Sequence, residues 1–452
     1  MIQPMTLTMA AQTFGGTLMY PDCEFRAVST DSRHIREGDV FVALRGERFD
    51  AHNFLPDVAT RASGMVVEYA DRDINLPQWV VPDTTVALGQ LALLNRRRFH
   101  GPVVAITGSS GKTTVKEMVA AILGECGAVL ATKGNLNNQI GVPLTLLRLT
   151  AQHRFAVIEM GASGPSEISY LCSLAKPDVV LVNNVLPAHV SGFGSLEGIA
   201  SAKGEIYSGV CSEGTAVINL DESWAPQWRA ATLARVVSYS LVSESADFRA
   251  KAMVSDPQGC FSFVLVTPVG EAAVQLAVSG RHNVANALAA AACAHAAGAD
   301  LGAVAAGLNK VRAVPGRLHR QVLASGGTLI DDSYNANPGS VKAAVDTLMT
   351  ISGKQILVLG DMGELGDNEA ALHGEVGRYA ADKGVCHLLA VGPLSINTVR
   401  EFGEGAEHLD SKEQLLERLK SLLDKDAVVL VKGSRFMAMD SVVKMITELG
   451  EH

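Results

Sequence analysis

Val103-Val-Ala-Ile-Thr-Gly-Ser-Ser-Gly-Lys-Thr-Thr114 runs from an unbroken apolar stretch through a glycine loop into the helical pattern that starts at Val115. An apolar run this short, stopped by glycine, predicts a strand buried on both faces, as parallel sheets require. The loop that follows can turn its backbone amides toward phosphate oxygens, and the start of the helix adds partial positive charge. Lys112 is placed to reach terminal phosphates and Thr113 to offer its hydroxyl to Mg2+, with Gly108, Ser109, Ser110, Gly111 and Thr114 completing the cradle. The general phosphate-loop pattern would put glycine where Ile106 stands; the nearest upstream glycine is Gly108, so the loop is a short one. An ordinary strand-to-helix turn is the competing reading, and the strand and helix on either side weigh against it.

Outward from this loop, apolar strands recur at 156–160 and 179–183, which predicts a doubly wound parallel sheet. The alanine-rich stretch from Asn286 to Ala299 reads as a buried helix of the same unit, and Val314-Pro-Gly316 punctuates the chain after it. Further strands are expected at Thr328–Asp331, Gln355–Gly360, Leu388–Gly392 and Ala427–Val431. Upstream, short strands at 39–44 and 64–68 suggest a small α/β unit, joined to the rest by a helix over 86–98. The expected architecture is α/β in three domains: a small N-terminal one (1–85), a central parallel-sheet domain carrying the phosphate loop (86–313), and a C-terminal Rossmann-like one (314–452). The last has no Gly-x-Gly-x-x-Gly, so a dinucleotide is not implied there.

At 452 residues, 48% hydrophobic and 19% charged, the chain can bury several cores. Its formal net charge of -9 weighs against partnership with nucleic acid or anionic membrane. The cysteines at 23, 126, 172, 211, 260, 293 and 386 form no Cys-x-x-Cys pair, a pattern of a reducing compartment without a zinc cage. No secretory signal or membrane-length apolar run is apparent, so cytoplasmic residence without membrane insertion is expected.

The short loop, Thr107-Gly-Ser-Ser-Gly-Lys-Thr-Thr114, resembles the ATP loop of the Mur ligases and of folylpolyglutamate synthase. Gly134-Asn-Leu-Asn-Asn-Gln-Ile-Gly-Val-Pro143, Glu159, Ala202-Lys-Gly-Glu-Ile206, Gly280-Arg-His-Asn283 with Asn286, Pro315-Gly-Arg317 and Asp332-Ser-Tyr-Asn-Ala-Asn-Pro338 are similar to that superfamily's landmarks, in its order. Thr30-Asp-Ser-Arg33, Phe41-Val-Ala-Leu-Arg-Gly46 and Asp50-Ala-His52 resemble the UDP-sugar domain of the later Mur ligases, a preface that folylpolyglutamate synthase lacks. Gly360-Asp-Met-Gly-Glu-Leu-Gly366 and Val431-Lys-Gly-Ser-Arg435 look like the member that adds D-alanyl-D-alanine. The Asp-Asn-Pro-Arg motif of the third-residue-adding member is absent.

The resemblance implies an ATP-dependent carboxylate-amine ligase. The terminal carboxylate of UDP-N-acetylmuramoyl-tripeptide would take the γ-phosphate of ATP, and D-alanyl-D-alanine would then attack the acyl phosphate. It implies Ser32 and Arg33 at the uracil and phosphates of the UDP-sugar, Asn137 and Asn138 at the muramoyl group, and His282 and Asn283 at adenine. Arg317 and Asp332 would meet phosphate and ribose, and Tyr334, Asn335 and Asn337 the amine donor. Two Mg2+ ions are implied, with Thr113, Glu159, His189 and Lys203 as ligands and Lys112, Glu159, His189 and Lys203 as the catalytic set. An ammonium would be repelled from such a site, so the resemblance also implies a carbamylated Lys203. Read without the family, Glu159 is equally a solvated strand end, His189 a hydrogen-bonded structural residue and Lys203 a helix-surface lysine. A ligase of the same fold with another amine donor, a diamino acid or glutamate, and a nucleotide-binding switch stay open as alternatives. A monomer is expected.

Overall fold

The computed structural model describes residues 1–47, 49–187 and 190–449. In it the strand Val103–Thr107 is buried throughout, flanked in parallel by Phe155–Glu159 on one side and Val179–Val182 on the other. Val103 and Ala105 enter one core with Ile168, Leu171 and Ile199; Val104 and Ile106 enter another with Val115, Ile122 and Leu288. With both faces covered, the strand has no polar side to show, hence its unbroken apolar sequence. One layer of helices is Glu167–Ala175 with Leu196–Ser208; the other is Lys112–Gly124 with Arg281–Ala296 and Leu301–Lys310. The latter layer packs closely enough that a Cβ on Gly307 would lie 2.4 Å from the Ile122 Cα, which leaves room for glycine alone.

Among the described residues this central sheet has nine strands. Val129–Ala131 extends it beyond Phe155–Glu159, and Thr215–Asn219 and Arg235–Ser240 continue the parallel part beyond Val179–Val182. Phe248–Ser255, Cys260–Thr267 and Gly270–Ser279 then close the far edge as an antiparallel meander, an addition to the expected parallel sheet.

Among the described residues six strands form the C-terminal sheet, in the order His319–Val322, Thr328–Asp332, Ala427–Lys432, Lys354–Gly360, His387–Val391, Ala406–Leu409. All pairs are parallel except the first. Here too alternate residues serve two cores: Ile330, Leu357 and Leu430 one, Leu329, Ile356 and Val429 the other. The N-terminal sheet pairs Ala27–Ser29, Asp39–Val42, Gly64–Val67 and Gln78–Val80 in parallel, with Thr17–Met19 antiparallel at its edge.

The helix Thr84–Arg97 ties this small unit to the central one. Asp83 caps it by accepting from the amides of Thr85 and Val86, and its Leu88 and Leu91 share one core with Val66 and Trp79 before it and Leu171 after it. Among the described residues no helix is long and apolar enough to cross a membrane, and all seven cysteines are free.

Candidate active site

Open α/β sheets bind ligands beyond the carboxyl ends of their strands. A cleft of about 660 Å³ lies there, lined from the central unit by the phosphate loop, Asn137, Glu159 and Lys203, and from the C-terminal unit by Arg317, Asp332 and Tyr334. The loop owes its shape to two glycines with positive φ, Gly108 at +148° and Gly111 at +75°. A Cβ on Gly111 would lie 2.6 Å from Asn183 Nδ2 and 2.8 Å from Asn286 Oδ1, so backbone strain and crowding both demand glycine.

The segment 183–186, just past the strand Val179–Val182, holds the loop from behind. The Ser109 amide donates to the Asn184 carbonyl (2.9 Å) and the Ser110 amide to Asn184 Oδ1 (2.8 Å). Asn184 Nδ2 donates back to the Ser110 carbonyl at 3.1 Å, so one carboxamide clamps one loop residue at both its polar groups. Ser109 Oγ in turn joins the Leu186 backbone, donating to the carbonyl at 3.0 Å and accepting from the amide at 2.9 Å. Among the described residues no side chain caps the helix Lys112–Gly124, which leaves its first amides open to an anion in the cleft.

Lys112 Nζ donates to the Gly108 carbonyl at 2.6 Å. Burial lowers its pKa and Arg317 adds to that, with Glu159 opposing. Glu159, only 3% exposed, ends its strand with one oxygen accepting from Thr113 Oγ1 (2.9 Å) and the other from Asn137 Nδ2 (2.8 Å). Both donors are neutral, and among the described residues no cation pairs with this buried carboxylate. A buried carboxylate whose hydrogen-bond donors are both neutral, beside a hydroxyl, is a fit for a hard, oxygen-seeking cation such as Mg2+.

Lys203 is 2% exposed, so the surface-lysine reading fails. Its Nζ sits 5.6 Å from the Phe193 ring centroid, and burial, helped by the charge of Lys112, brings its pKa down to about 7. His189 lies outside the described residues.

From the opposite wall Arg317 Nη2 reaches within 3.5 Å of Thr113 Oγ1, and its guanidinium stacks 4.1 Å from the Tyr334 ring centroid. Asp332 Oδ2 accepts from the buried Lys432 Nζ at 2.5 Å, and Oδ1 from the Leu318 amide at 3.2 Å. His282 and Asn283 also face the cleft, and burial lowers the His282 pKa. Asn283 Oδ1 accepts from Asn286 Nδ2 (2.8 Å), and Asn286 Oδ1 accepts from Asn183 Nδ2 (3.0 Å), a chain of carboxamides under the loop.

Over its whole length the chain is similar to the UDP-N-acetylmuramoyl-tripeptide--D-alanyl-D-alanine ligase of Escherichia coli strain K12, with 46% identity over 99% of both chains. Residues 106–294 match the Mur ligase middle domain and residues 316–435 the Mur ligase, glutamate ligase domain. The chain belongs to the Mur ligase family. Among solved structures, MurF from Acinetobacter baumannii superposes with a TM-score of 0.93 at 37% identity, covering 99% of both chains. The MurF ligase from Thermotoga maritima, solved in complex with ADP, gives a TM-score of 0.83 at 28% identity over 94% of this chain and 98% of that one.

As a Mur ligase, the chain shows which of its expected site residues come together. The phosphate loop, Asn137, Asn138, Glu159, Lys203, His282, Asn283, Arg317, Asp332, Tyr334, Asn335 and Asn337 share the cleft. Two of these have structural duties: Asn138 Oδ1 accepts from the Gly141 amide at a helix start, and Asn337 Oδ1 from the Ser340 amide in a capping box. Ser32 and Arg33 are not among the cleft's lining residues. Arg33 donates from Nε and Nη2 to Asp31, at 2.9 and 2.8 Å, and the Ser32 carbonyl accepts from Arg61.

Asn183, Asn184 and Lys432 are supports of the site that sequence reasoning did not single out. Lys432 stood inside a quoted motif, but its partner Asp332 is 100 residues away, and nothing local announces the pair.

Proposed function

We propose that this chain joins D-alanyl-D-alanine to UDP-N-acetylmuramoyl-tripeptide, using ATP and giving UDP-N-acetylmuramoyl-pentapeptide, ADP and phosphate, in the cytoplasm, as a step in peptidoglycan precursor synthesis. One observation carries the reading: a loop built for phosphate and a second wall with Arg317, Tyr334 and Asn335 line one cleft, so a phosphoryl donor and an amine can meet at a single carboxylate. Homology to the ligase of that name over the full length supports the choice of substrates.

In this reading a carboxylate oxygen of the tripeptide attacks the γ-phosphorus and the bond to ADP breaks. The amine of D-alanyl-D-alanine then attacks the acyl carbonyl, phosphate leaves, and the amine gives up a proton. Lys112 and Arg317 offset the charge that gathers as two anions approach. Mg2+ held by Thr113 and Glu159 supplies further neutralisation when bound. His189 is proposed as a ligand of a second ion. Lys203, enclosed and without a carboxylate partner among the described residues, suits conversion to a carbamate: Nζ bonds to the carbon of CO2 and loses a proton, leaving an anionic oxygen donor. Contact between the two walls excludes water that would otherwise hydrolyse the acyl phosphate.

Oxygen labelling tests the sequence of bonds. With 18O in the tripeptide's terminal carboxylate, the released phosphate should carry one labelled oxygen per turnover. Unlabelled phosphate would refute the acyl-phosphate route.

A further inference from the structure

Three segments that the sequence singled out separately, 332–338, 360–366 and 431–435, meet one another beside the cleft, whose wall takes Asp332, Tyr334, Asn335 and Lys432 from them. The Gly363 amide donates to Ser434 Oγ at 2.7 Å, and Ser434 Oγ donates to the Ala336 carbonyl at 3.2 Å. The Arg435 amide donates to Asn335 Oδ1 at 3.3 Å, and the Arg435 guanidinium lies over the ring of Tyr334, 5.5 Å from its centroid. Next to it Phe436 is 67% exposed and packs on Gly363, where a Cβ would meet its ring at 2.7 Å. We infer that Arg435 binds the carboxylate of the amine donor, with Phe436 and Gly363 beside it forming the small apolar surface for the terminal methyl group.

The cations of this region are otherwise occupied. Lys112 is folded onto the Gly108 carbonyl, Arg317 leans toward Thr113, Lys432 is paired with Asp332, and Lys203 is enclosed on the far wall. Arg435 is exposed with no carboxylate partner among the described residues. A donor that carries a carboxylate into a cleft already holding phosphates needs a cation of its own, and an arginine fork fits a carboxylate with two parallel hydrogen bonds. The reach is right. Arg317 and Arg435 both stack on Tyr334, at 4.1 and 5.5 Å, and a dipeptide spans about 7 Å from amine to carboxylate. The amine can therefore face the reacting carbonyl near Arg317 while the far end meets Arg435.

This inference rests on the proposed ligase reading and deepens it. Its test compares D-alanyl-D-alanine with D-alanyl-D-alaninamide, whose terminus is neutral, in the wild type and in Arg435→Gln and Arg435→Lys, at saturating ATP and UDP-tripeptide. The wild type should prefer the acid. Arg435→Gln should raise the KM for the acid about 10- to 100-fold and bring acid and amide within about two-fold of each other, with Arg435→Lys in between. The KM values for ATP and UDP-tripeptide and the melting temperature should stay unchanged. Wild-type discrimination in Arg435→Gln, or equal losses for all three substrates, would overturn the assignment while leaving the ligase reading intact. Absence of any pentapeptide from wild type with D-alanyl-D-alanine would remove both.

Discussion

Asn184→Ala removes the clamp on the phosphate loop without touching a residue proposed to meet a substrate. The side chain makes two hydrogen bonds to the backbone of Ser110, at 2.8 and 3.1 Å. Each bond between neutral groups contributes about 0.5–1.5 kcal/mol, so about 1–3 kcal/mol of loop order is at stake, a factor of about 5–150 in an equilibrium constant. Ser110 is only partly buried and Asn183 Nδ2 still donates to its carbonyl, so water and that remaining bond should hold the loss to about 5- to 30-fold. The expected outcome is an ATP KM raised by that factor, with the affinity for UDP-tripeptide unchanged by calorimetry. Asn184→Asp sharpens the test. It keeps an acceptor for the Ser110 amide but turns the donor into a negative oxygen facing a carbonyl and near the phosphates, so its ATP KM should rise further than that of Asn184→Ala. A wild-type ATP KM in Asn184→Ala, or an Asp variant no worse than the Ala variant, would refute the clamp.

Lys112→Ala should abolish turnover and oxygen transfer while retaining UDP-tripeptide binding; normal turnover would end the phosphate-loop assignment. Lys203→Ala should lose most activity and regain part of it with formate or acetate, small carboxylates that replace the carbamate oxygens; wild-type rates would remove the residue from the site. Glu222 gives a pH prediction. Burial raises its carboxyl pKa from 4.5 to about 7, against the Val185 amide that donates to it at 3.3 Å. Between those values the folded chain holds a proton that the unfolded chain has released, so this contribution is full below pH 4.5 and fades as pH rises through 7. Glu222→Gln should therefore melt higher than wild type at pH 8 and nearly together with it at pH 4.5; the reverse order would mean that the fold stabilises the ionised carboxyl rather than the neutral one.

How much of this was legible in the sequence depends on how local the signal is. The run Val103–Thr107 and the glycines after it carry their structure in consecutive residues: strand and loop fall where the pattern puts them, and the helix starts at Lys112, three residues ahead of the apolar pattern at Val115. The leucine stripe likewise marks the helix Thr84–Arg97, expected over 86–98. The antiparallel meander at 248–279 escaped because its alternation is broken: Ala252 takes φ +52° and the register shifts between Lys251 and Val254. The supports of the site escaped for a different reason. Asn184 meets Ser110 across 74 residues, Asn286 meets Asn183 across 103, and Lys432 meets Asp332 across 100. Such pairs are made by the sheet order, which brings strand ends together long after the local pattern has ended.

The central claim is the identity of the amine that receives the activated carboxylate. The direct measurement offers the enzyme ATP, Mg2+ and UDP-N-acetylmuramoyl-tripeptide with D-alanyl-D-alanine, a diamino acid, glutamate or no amine, and follows phosphate release and product mass together. Rapid phosphate release matched one-to-one by UDP-N-acetylmuramoyl-pentapeptide, with D-alanyl-D-alanine alone, is the predicted result. Product with a diamino acid or glutamate instead, or phosphate released equally without any amine, would contradict it.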